Sequence, residues 1–204
     1  VQVYDLGRTD EGGGDWFIAM EHIHGRDLTQ IVRTLRRDDR LLPLPLAVYV
    51  VGAALRGLSY AHARTGADGQ PLGLVHRDVS PHNLLVSFQG DVKLVDFGIA
   101  RLAGVAESQG TSKPGGGKFA YMSPEQAKGE PVDRRADVFS AGIVLYELLV
   151  GHRLYDDPDP AKKLERVRKA EIPDPRLENP SIPDALWEIL QKALAREPED
   201  RYPS

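Results

Sequence analysis

The chain shifts between strand-like and helix-like spacing of apolar residues. Val1 to Leu6 and Trp16 to Met20 are short runs of strand formers split by Gly7 to Asp15, which holds three consecutive glycines. This predicts a β-hairpin with a loose loop. A hairpin this small is marginal without further strands or a packed helix. From Pro45, tolerated in a first helical turn, Leu46, Val50, Ala54, Leu58 and Ala61 recur at near-helical spacing and predict a helix. Leu84 to Val86 and Val92 to Val95 flank the glycine-bearing Phe88 to Asp91 and predict a second hairpin. Ala136 to Val150 is apolar almost all round and closed by Gly151, the pattern of a helix in the middle of a domain. Asp184 to Ala195 reads as a last amphipathic helix. Glu107 to Gly117 reads as a loop, and Asp156 to Pro160 and Ile172 to Pro183 as irregular connections crowded with Pro and Asp.

Composition narrows the class. With 204 residues, 41% hydrophobic and 27% charged, the chain can bury a substantial core, and no repeat or linker divides it. Lys plus Arg number 26 against 30 Asp plus Glu, a net charge of -4, so the overall balance favours neither a nucleic-acid nor an anionic-membrane partner. The absence of cysteine excludes a disulfide framework and thiolate metal sites and allows a cytoplasmic location without requiring it. The uncharged run Leu41 to Leu55 contains Pro43 and Pro45 and is too short for a membrane span. Val1-Gln2-Val3-Tyr4 reads as the interior of a strand, so the chain is expected to come from a longer protein whose other parts could carry a membrane anchor.

The densest chemical signal is His76-Arg77-Asp78-Val79-Ser80-Pro81-His82-Asn83, followed across the second hairpin by Asp96-Phe97-Gly98. Phosphoryl transfer needs Mg²⁺ on the phosphates and an acceptor aligned for in-line attack, which hard oxygen ligands beside a free carboxylate suit. Asn83 and Asp96 can hold the metal while Asp78 faces an acceptor hydroxyl. Either triplet alone is also what a solvated loop carries; the two in this order are far more specific.

Together they resemble the catalytic-loop and metal-binding motifs of the eukaryotic-like protein Ser/Thr kinase family, of a bacterial kind. Tyr121-Met122-Ser123-Pro124-Glu125 resembles that family's Ala-Pro-Glu motif with serine for alanine, Asp137 opens the buried helix as the family's aspartate does, and Arg201 falls where the family pairs an arginine with that glutamate. Trp16 to Gly25 resembles the fifth strand and hinge. The resemblance implies an α+β, protein-kinase-like fold: residues 1–23 as a partial N-terminal-lobe hairpin and hinge, residues 24–204 as a mainly helical C-terminal lobe. It implies ATP and Mg²⁺ as cofactors and a protein substrate. In the nucleotide site Met20 would be the gatekeeper, Glu21 would offer its carbonyl and Ile23 its N–H to adenine, Asp27 would reach the ribose, and Leu85 and Val95 would line the base beside Asp96. Arg77 marks the subclass switched by activation-loop phosphorylation, with Ser108, Thr111 and Ser112 as candidate acceptors.

Two departures matter. The family's glycine-rich phosphate loop and strand lysine are not among these 204 residues, and Gly12-Gly13-Gly14 is no substitute, so the isolated chain is expected to bind ATP poorly. Where the family has lysine two residues after the catalytic aspartate this chain has Ser80, and where it has threonine in the substrate-docking segment just before the block matched by Ser123-Pro124-Glu125 this chain has Lys118. Ser80 and Lys118 are expected to be exchanged partners, Lys118 restoring the missing cation beside Asp78; the alternative is an ordinary solvent-facing lysine. Two other readings fit part of the pattern: a pseudokinase that docks partners, and a small-molecule phosphotransferase, which Arg77 and the Ser123-Pro124-Glu125 block disfavour. The substrate, the upstream signal and the oligomeric state are not legible.

Overall fold

The computed structural model describes residues 1–8, 16–97 and 118–204, and of Lys118 the backbone alone. The Gly12 to Gly14 stretch, Gly98, the stretch from Glu107 to Gly117 that the sequence reads as a loop, and the candidate phosphoacceptors Ser108, Thr111 and Ser112 lie outside the described residues.

Strands β1 (Val3–Arg8) and β2 (Trp16–Met20) pair antiparallel as expected, with Leu6 opposite Ile18, Arg8 opposite Trp16, and an irregularity between Val3 and Asp5. Among the described residues Tyr4, Leu6, Trp16 and Phe17 stay exposed, so neither face of this ribbon is covered. The second sheet is larger than the predicted hairpin. A short β3 (Gly25–Asp27) joins β4 (Leu84–Ser87), which pairs with β5 (Val92–Leu94), all antiparallel. Sequence reasoning missed β3 because Gly-Arg-Asp carries no strand former. Its pairing depends on close backbone approach, since a Cβ at Gly25 would stand 2.1 Å from the Val86 carbonyl oxygen.

Helix α1 (Leu28–Arg37) starts at Asp27, whose carboxylate accepts from the Gln30 N–H at 2.9 Å, and ends on Arg36 and Arg37, which suit the negative end of the helix dipole. Only Leu28 and Val32 are buried, too sparse a stripe to have been recognised. α2 (Leu44–His62) buries Ala47, Val50, Val51, Ala54, Leu58 and Ala61, close to the predicted face. At 19 residues and mean hydropathy 1.4 it is long and apolar enough to cross a membrane, which corrects the shorter run read from sequence: the helix continues through Arg56. In this fold one side of it packs on the central helix and on β5.

That central helix, here α4 (Arg135–Val150), follows the short α3 (Pro124–Lys128). Every residue from Ala136 to Leu149 is buried, and Gly151 at φ +81° closes it in the left-handed conformation. α5 (Pro160–Lys169) packs near α3, and α6 (Asp184–Ala193) lies against α4, where Gly142 lets Leu194 approach closely. α5 occupies a stretch to which the sequence reading assigned no element. The predicted last helix ends two residues early, at Ala193 rather than Ala195.

Candidate active site

Asp137 in the first turn of α4 organises the loop before β4. It is fully buried. Its Oδ1 accepts the Arg77 N–H at 2.8 Å, and its Oδ2 takes the His76 N–H at 2.8 Å and meets His62 Nε2 at 2.7 Å. A buried carboxylate is tolerable only when satisfied in this way. These bonds hold Arg77 at φ +66°, a left-handed conformation costing a non-glycine residue about 1–2 kcal/mol. The Gln126 amide, donating to the Arg77 carbonyl at 2.9 Å, adds a second tie.

His76 is also fully buried. Its Nε2 donates to the Val95 carbonyl at 2.8 Å and its Nδ1 accepts the Asp78 N–H at 3.3 Å, which fixes a neutral imidazole. Burial holds its pKa below the ordinary value despite the Val95 bond and the nearby carboxylates of Asp137, Asp78 and Asp96. Its ring packs against Phe97, centroids 4.6 Å apart.

This scaffold presents two exposed carboxylates, Asp78 and Asp96. Neither is hydrogen-bonded through its side chain among the described residues, and Asp96 adopts φ +58°. Asn83 sits between them in sequence and is buried. Its Nδ2 donates to the Asp78 carbonyl at 2.8 Å, which leaves Oδ1 for a ligand. Among the described residues no three acidic or histidine side chains converge on one cation. Asn83 and Asp96 offer two hard oxygens, which fits Mg²⁺ because that ion commonly takes one or two protein oxygens and fills its octahedron from phosphates and water.

The predicted adenine-facing residues follow β2. Met20 is exposed and Glu21 half-buried. Glu21 donates its N–H to Gln2, but among the described residues no hydrogen bond engages its carbonyl or the Ile23 N–H. The Glu21 carboxylate accepts from the Gln2 N–H at 2.8 Å and from Lys93 at 3.2 Å, and these bonds hold it below the usual carboxylate range. Asp27 lies opposite half-buried Leu85 in the β3–β4 register. One of its oxygens caps α1, a use the sequence reading did not anticipate. Half-buried Val95 is fixed by its bonds to Asn83 and His76.

Ser80 is buried, so no cation stands at that position of the loop. Lys118 opens a 3₁₀ turn, Lys118–Tyr121, that precedes the Ser123-capped α3; its side chain lies outside the described residues. Glu125 and Arg201 are not surface charges. They form a bidentate pair at 2.7 and 2.8 Å with both side chains at most 5% exposed.

A family model described as "Protein kinase domain" matches residues 1–203. The chain belongs to the protein kinase domain family. This kinase domain is 42% identical to the "Tyrosine-protein kinase MasK" of Myxococcus xanthus, over 100% of the chain and 31% of that protein. It is 37% identical to the "Serine/threonine-protein kinase PknB" of Mycobacterium leprae, over 99% of the chain and 31% of that protein. The solved PknI kinase domain of Mycobacterium tuberculosis matches it with TM-score 0.71 and 30% identity, covering 100% of this chain and 66% of that one. The kinase domain thus has the expected α+β, protein-kinase-like fold and spans about a third of the length of these curated relatives, 31% in each.

Several residues that hold the segment around Tyr121 escaped sequence reasoning. Tyr121 donates its hydroxyl to Glu147, and Ser140 donates to the Tyr121 carbonyl at 2.8 Å. Burial, with Glu147 beside it, pushes the Tyr121 phenol well above its ordinary pKa. Glu147 had one available signal, a lone acid near the end of an otherwise apolar helix. His62 and Gln126 had none, because their bonds, to Asp137 and to the Arg77 carbonyl, span 75 and 49 positions of sequence.

Proposed function

We propose that the protein carrying this kinase domain transfers the γ-phosphoryl group of ATP to a serine or threonine hydroxyl of a protein substrate in the cytoplasm. The observation that supports this reading is the exposed Asp78 carboxylate, without a side-chain hydrogen bond among the described residues, on a loop anchored by Asp137 and by the bond from Asn83 to the Asp78 carbonyl. The acceptor oxygen attacks the γ-phosphorus, the bond to the β,γ-bridging oxygen breaks, ADP departs and the acceptor proton passes to Asp78. Asn83 and Asp96 would hold Mg²⁺, which when bound would supply neutralisation of charge on the phosphate oxygens. Residues 1–23 belong to the smaller lobe and residues 24–204 to the larger. The Glu21 carbonyl and Ile23 N–H meet the adenine edge below Met20, Leu85 and Val95 pack on the base, and the uncapped oxygen of Asp27 reaches the ribose. Lys118 supplies beside Asp78 the cation that Ser80 does not.

Tyrosine as acceptor is a second reading. It is favoured by the 42% identity to a relative named as a tyrosine-protein kinase. The experiment is transfer from radiolabelled Mg-ATP by the complete protein, followed by acid hydrolysis and separation of the phosphoamino acids. Label in phosphoserine or phosphothreonine supports the first reading and label in phosphotyrosine the second. No label at saturating Mg-ATP defeats both and leaves a partner-docking module.

A further inference from the structure

Beside the catalytic loop, between α1 and the segment that follows α4, lies a cavity of about 270 Å³. Pro81 of the catalytic loop and Tyr121 of the docking segment both line it. Pro81 is three residues from Asp78, so the cavity wall begins within roughly 11 Å of the acceptor site. An extended peptide advances about 3.3 Å per residue, which puts a substrate side chain two to four positions from the acceptor within reach.

The charges around this cavity do not cancel. Glu147 is taken up by the chain itself: Arg36 holds one oxygen at 2.8 Å and the Tyr121 hydroxyl the other, and the side chain is 5% exposed. A basic substrate residue would have to displace Arg36 to reach it. His152 pairs with Glu178 at 2.6 Å, and that bond raises its pKa against the opposing effect of burial. Asp156 lies 3.9 Å from Lys163. Arg33 and Arg153 remain, both lining the cavity, and among the described residues neither has a carboxylate within ion-pair distance. The Thr29 hydroxyl, also on the wall, is buried without a hydrogen-bond partner among the described residues. Two guanidinium groups with no carboxylate partner among the described residues, Arg153 standing beside the Tyr121 hydroxyl and Arg33 exposed, together with one buried hydroxyl suit an anion with several acceptor oxygens.

We infer that this cavity is a specificity subsite for an acidic side chain of the protein substrate, carboxylate or phosphorylated, and that the Arg36–Glu147 pair rejects basic residues there. The inference rests on the phosphotransfer reading above for its location. Selectivity arises both from the attraction of Arg33 and Arg153 and from a carboxylate already occupied against the competitor.

The test uses the complete protein, Mg-ATP and a peptide set with one acceptor hydroxyl. Glutamate, phosphoserine, glutamine or lysine is placed in turn two, three or four positions to either side. At one or more positions glutamate should exceed lysine about tenfold in kcat/KM, the scale of one charge-assisted hydrogen bond. Phosphoserine exceeding glutamate there would identify phosphorylated substrates as the natural source of the anion. Arg33→Glu, an exposed change, and Arg33→Glu with Arg153→Glu should progressively invert the glutamate-to-lysine ratio, whereas Arg36→Ala should raise the use of lysine. Equal use of the glutamate and lysine peptides at every position, or a ratio unmoved by these variants, overturns the inference. If no peptide is phosphorylated, the phosphotransfer reading fails separately, and fluorescence anisotropy of the same labelled peptides still decides the subsite: tighter binding of the glutamate peptide that Arg33→Glu abolishes supports it, and equal affinities refute it.

Discussion

Removing Glu125 should destabilise this domain far more than removing a surface acid would, because the partner it leaves is a guanidinium that cannot reach water. The Arg201 side chain is 0% exposed and all five of its N–H donors are used. Two go to the Glu125 oxygens and the others to the carbonyls of Ala195, Arg135 and Arg196, at 2.7 to 3.2 Å. Its plane also lies 4.8 Å from the Phe139 ring centroid. Glu125→Ala keeps the carbonyl bonds and loses two charge-assisted bonds, each about 1.5–3 kcal/mol, so a loss of about 3–5 kcal/mol is expected. Arg201→Ala should reach the upper end of that range, since the ring contact goes too. The pair Glu125→Leu with Arg201→Met removes both charges and should recover most of the loss, because the attraction within a buried ion pair is largely offset by desolvation. The assay is urea unfolding of the complete protein, with hydrogen exchange followed on α4 so that this domain alone is read. At a slope of about 2–3 kcal/mol/M, Glu125→Ala should lower the midpoint by about 1–2 M. A shift below about 0.4 M, the value of an exposed pair, would refute the reasoning. The pH dependence has a definite sign. Burial alone would raise the Glu125 pKa, but the Arg201 hydrogen bonds override it and the folded value is lowered. Its contribution is therefore full above the ordinary carboxylate range and is lost as pH falls through the depressed folded value.

Four further outcomes follow from the site. Asp78→Asn should abolish transfer while nucleotide affinity stays nearly unchanged, whereas Asp96→Asn should weaken metal-dependent nucleotide binding; equal loss of binding in calorimetry would overturn this division of roles. Asp137→Ala strands the His76 and Arg77 N–H groups and should cost about 3 kcal/mol or more together with turnover, read by unfolding and initial rates. Lys118→Thr should slow transfer by about 10² to 10³ and adding Ser80→Lys should restore much of it, since an ammonium about 4 Å from a phosphoryl oxygen contributes at most roughly 4 kcal/mol; a loss within about threefold would remove Lys118 from catalysis. The folded pKa of His76 lies below its ordinary value of about 6.5, so the unfolded state takes up the proton first and the His76 contribution is lost as pH falls below that value; the stability difference between wild type and His76→Phe should shrink between about pH 7.5 and 5.

What the sequence disclosed depended on how each element is held. α2 and α4 were legible because burial along them follows apolar spacing that can be counted. α5 was not: in Pro-Ala-Lys-Lys-Leu-Glu-Arg-Val-Arg-Lys only Leu164 and Val167 are large and apolar, and the helix stands on its Asp159 cap, its Pro160 start and one fully buried valine. Asp27 shows a different omission. Its resemblance to a ribose-contacting residue hid the plainer signal of an acid three positions before Gln30 at the start of a helix. Residue types and order carried the catalytic loop and metal-binding motifs, whereas the contacts that shape them come from His62, Gln126 and Asp137, which no local pattern links to Asp78.

The two left-handed residues of the site are held in different ways. Arg77 and Asp96 each depart from the favoured backbone by about 1–2 kcal/mol, and such strain persists only where surrounding contacts over-determine it. Arg77 is fixed directly, by the buried Asp137 carboxylate on its N–H and by Gln126 on its carbonyl. Asp96 is fixed through its predecessor: Val95 donates to Asn83 and accepts from His76, so the peptide entering Asp96 cannot turn without breaking bonds to the catalytic loop. His76 is in turn tied to Asp137. One aspartate in the buried central helix therefore supports both strained residues, and the exposed carboxylates of Asp78 and Asp96 are aimed from the core rather than by the loops that bear them.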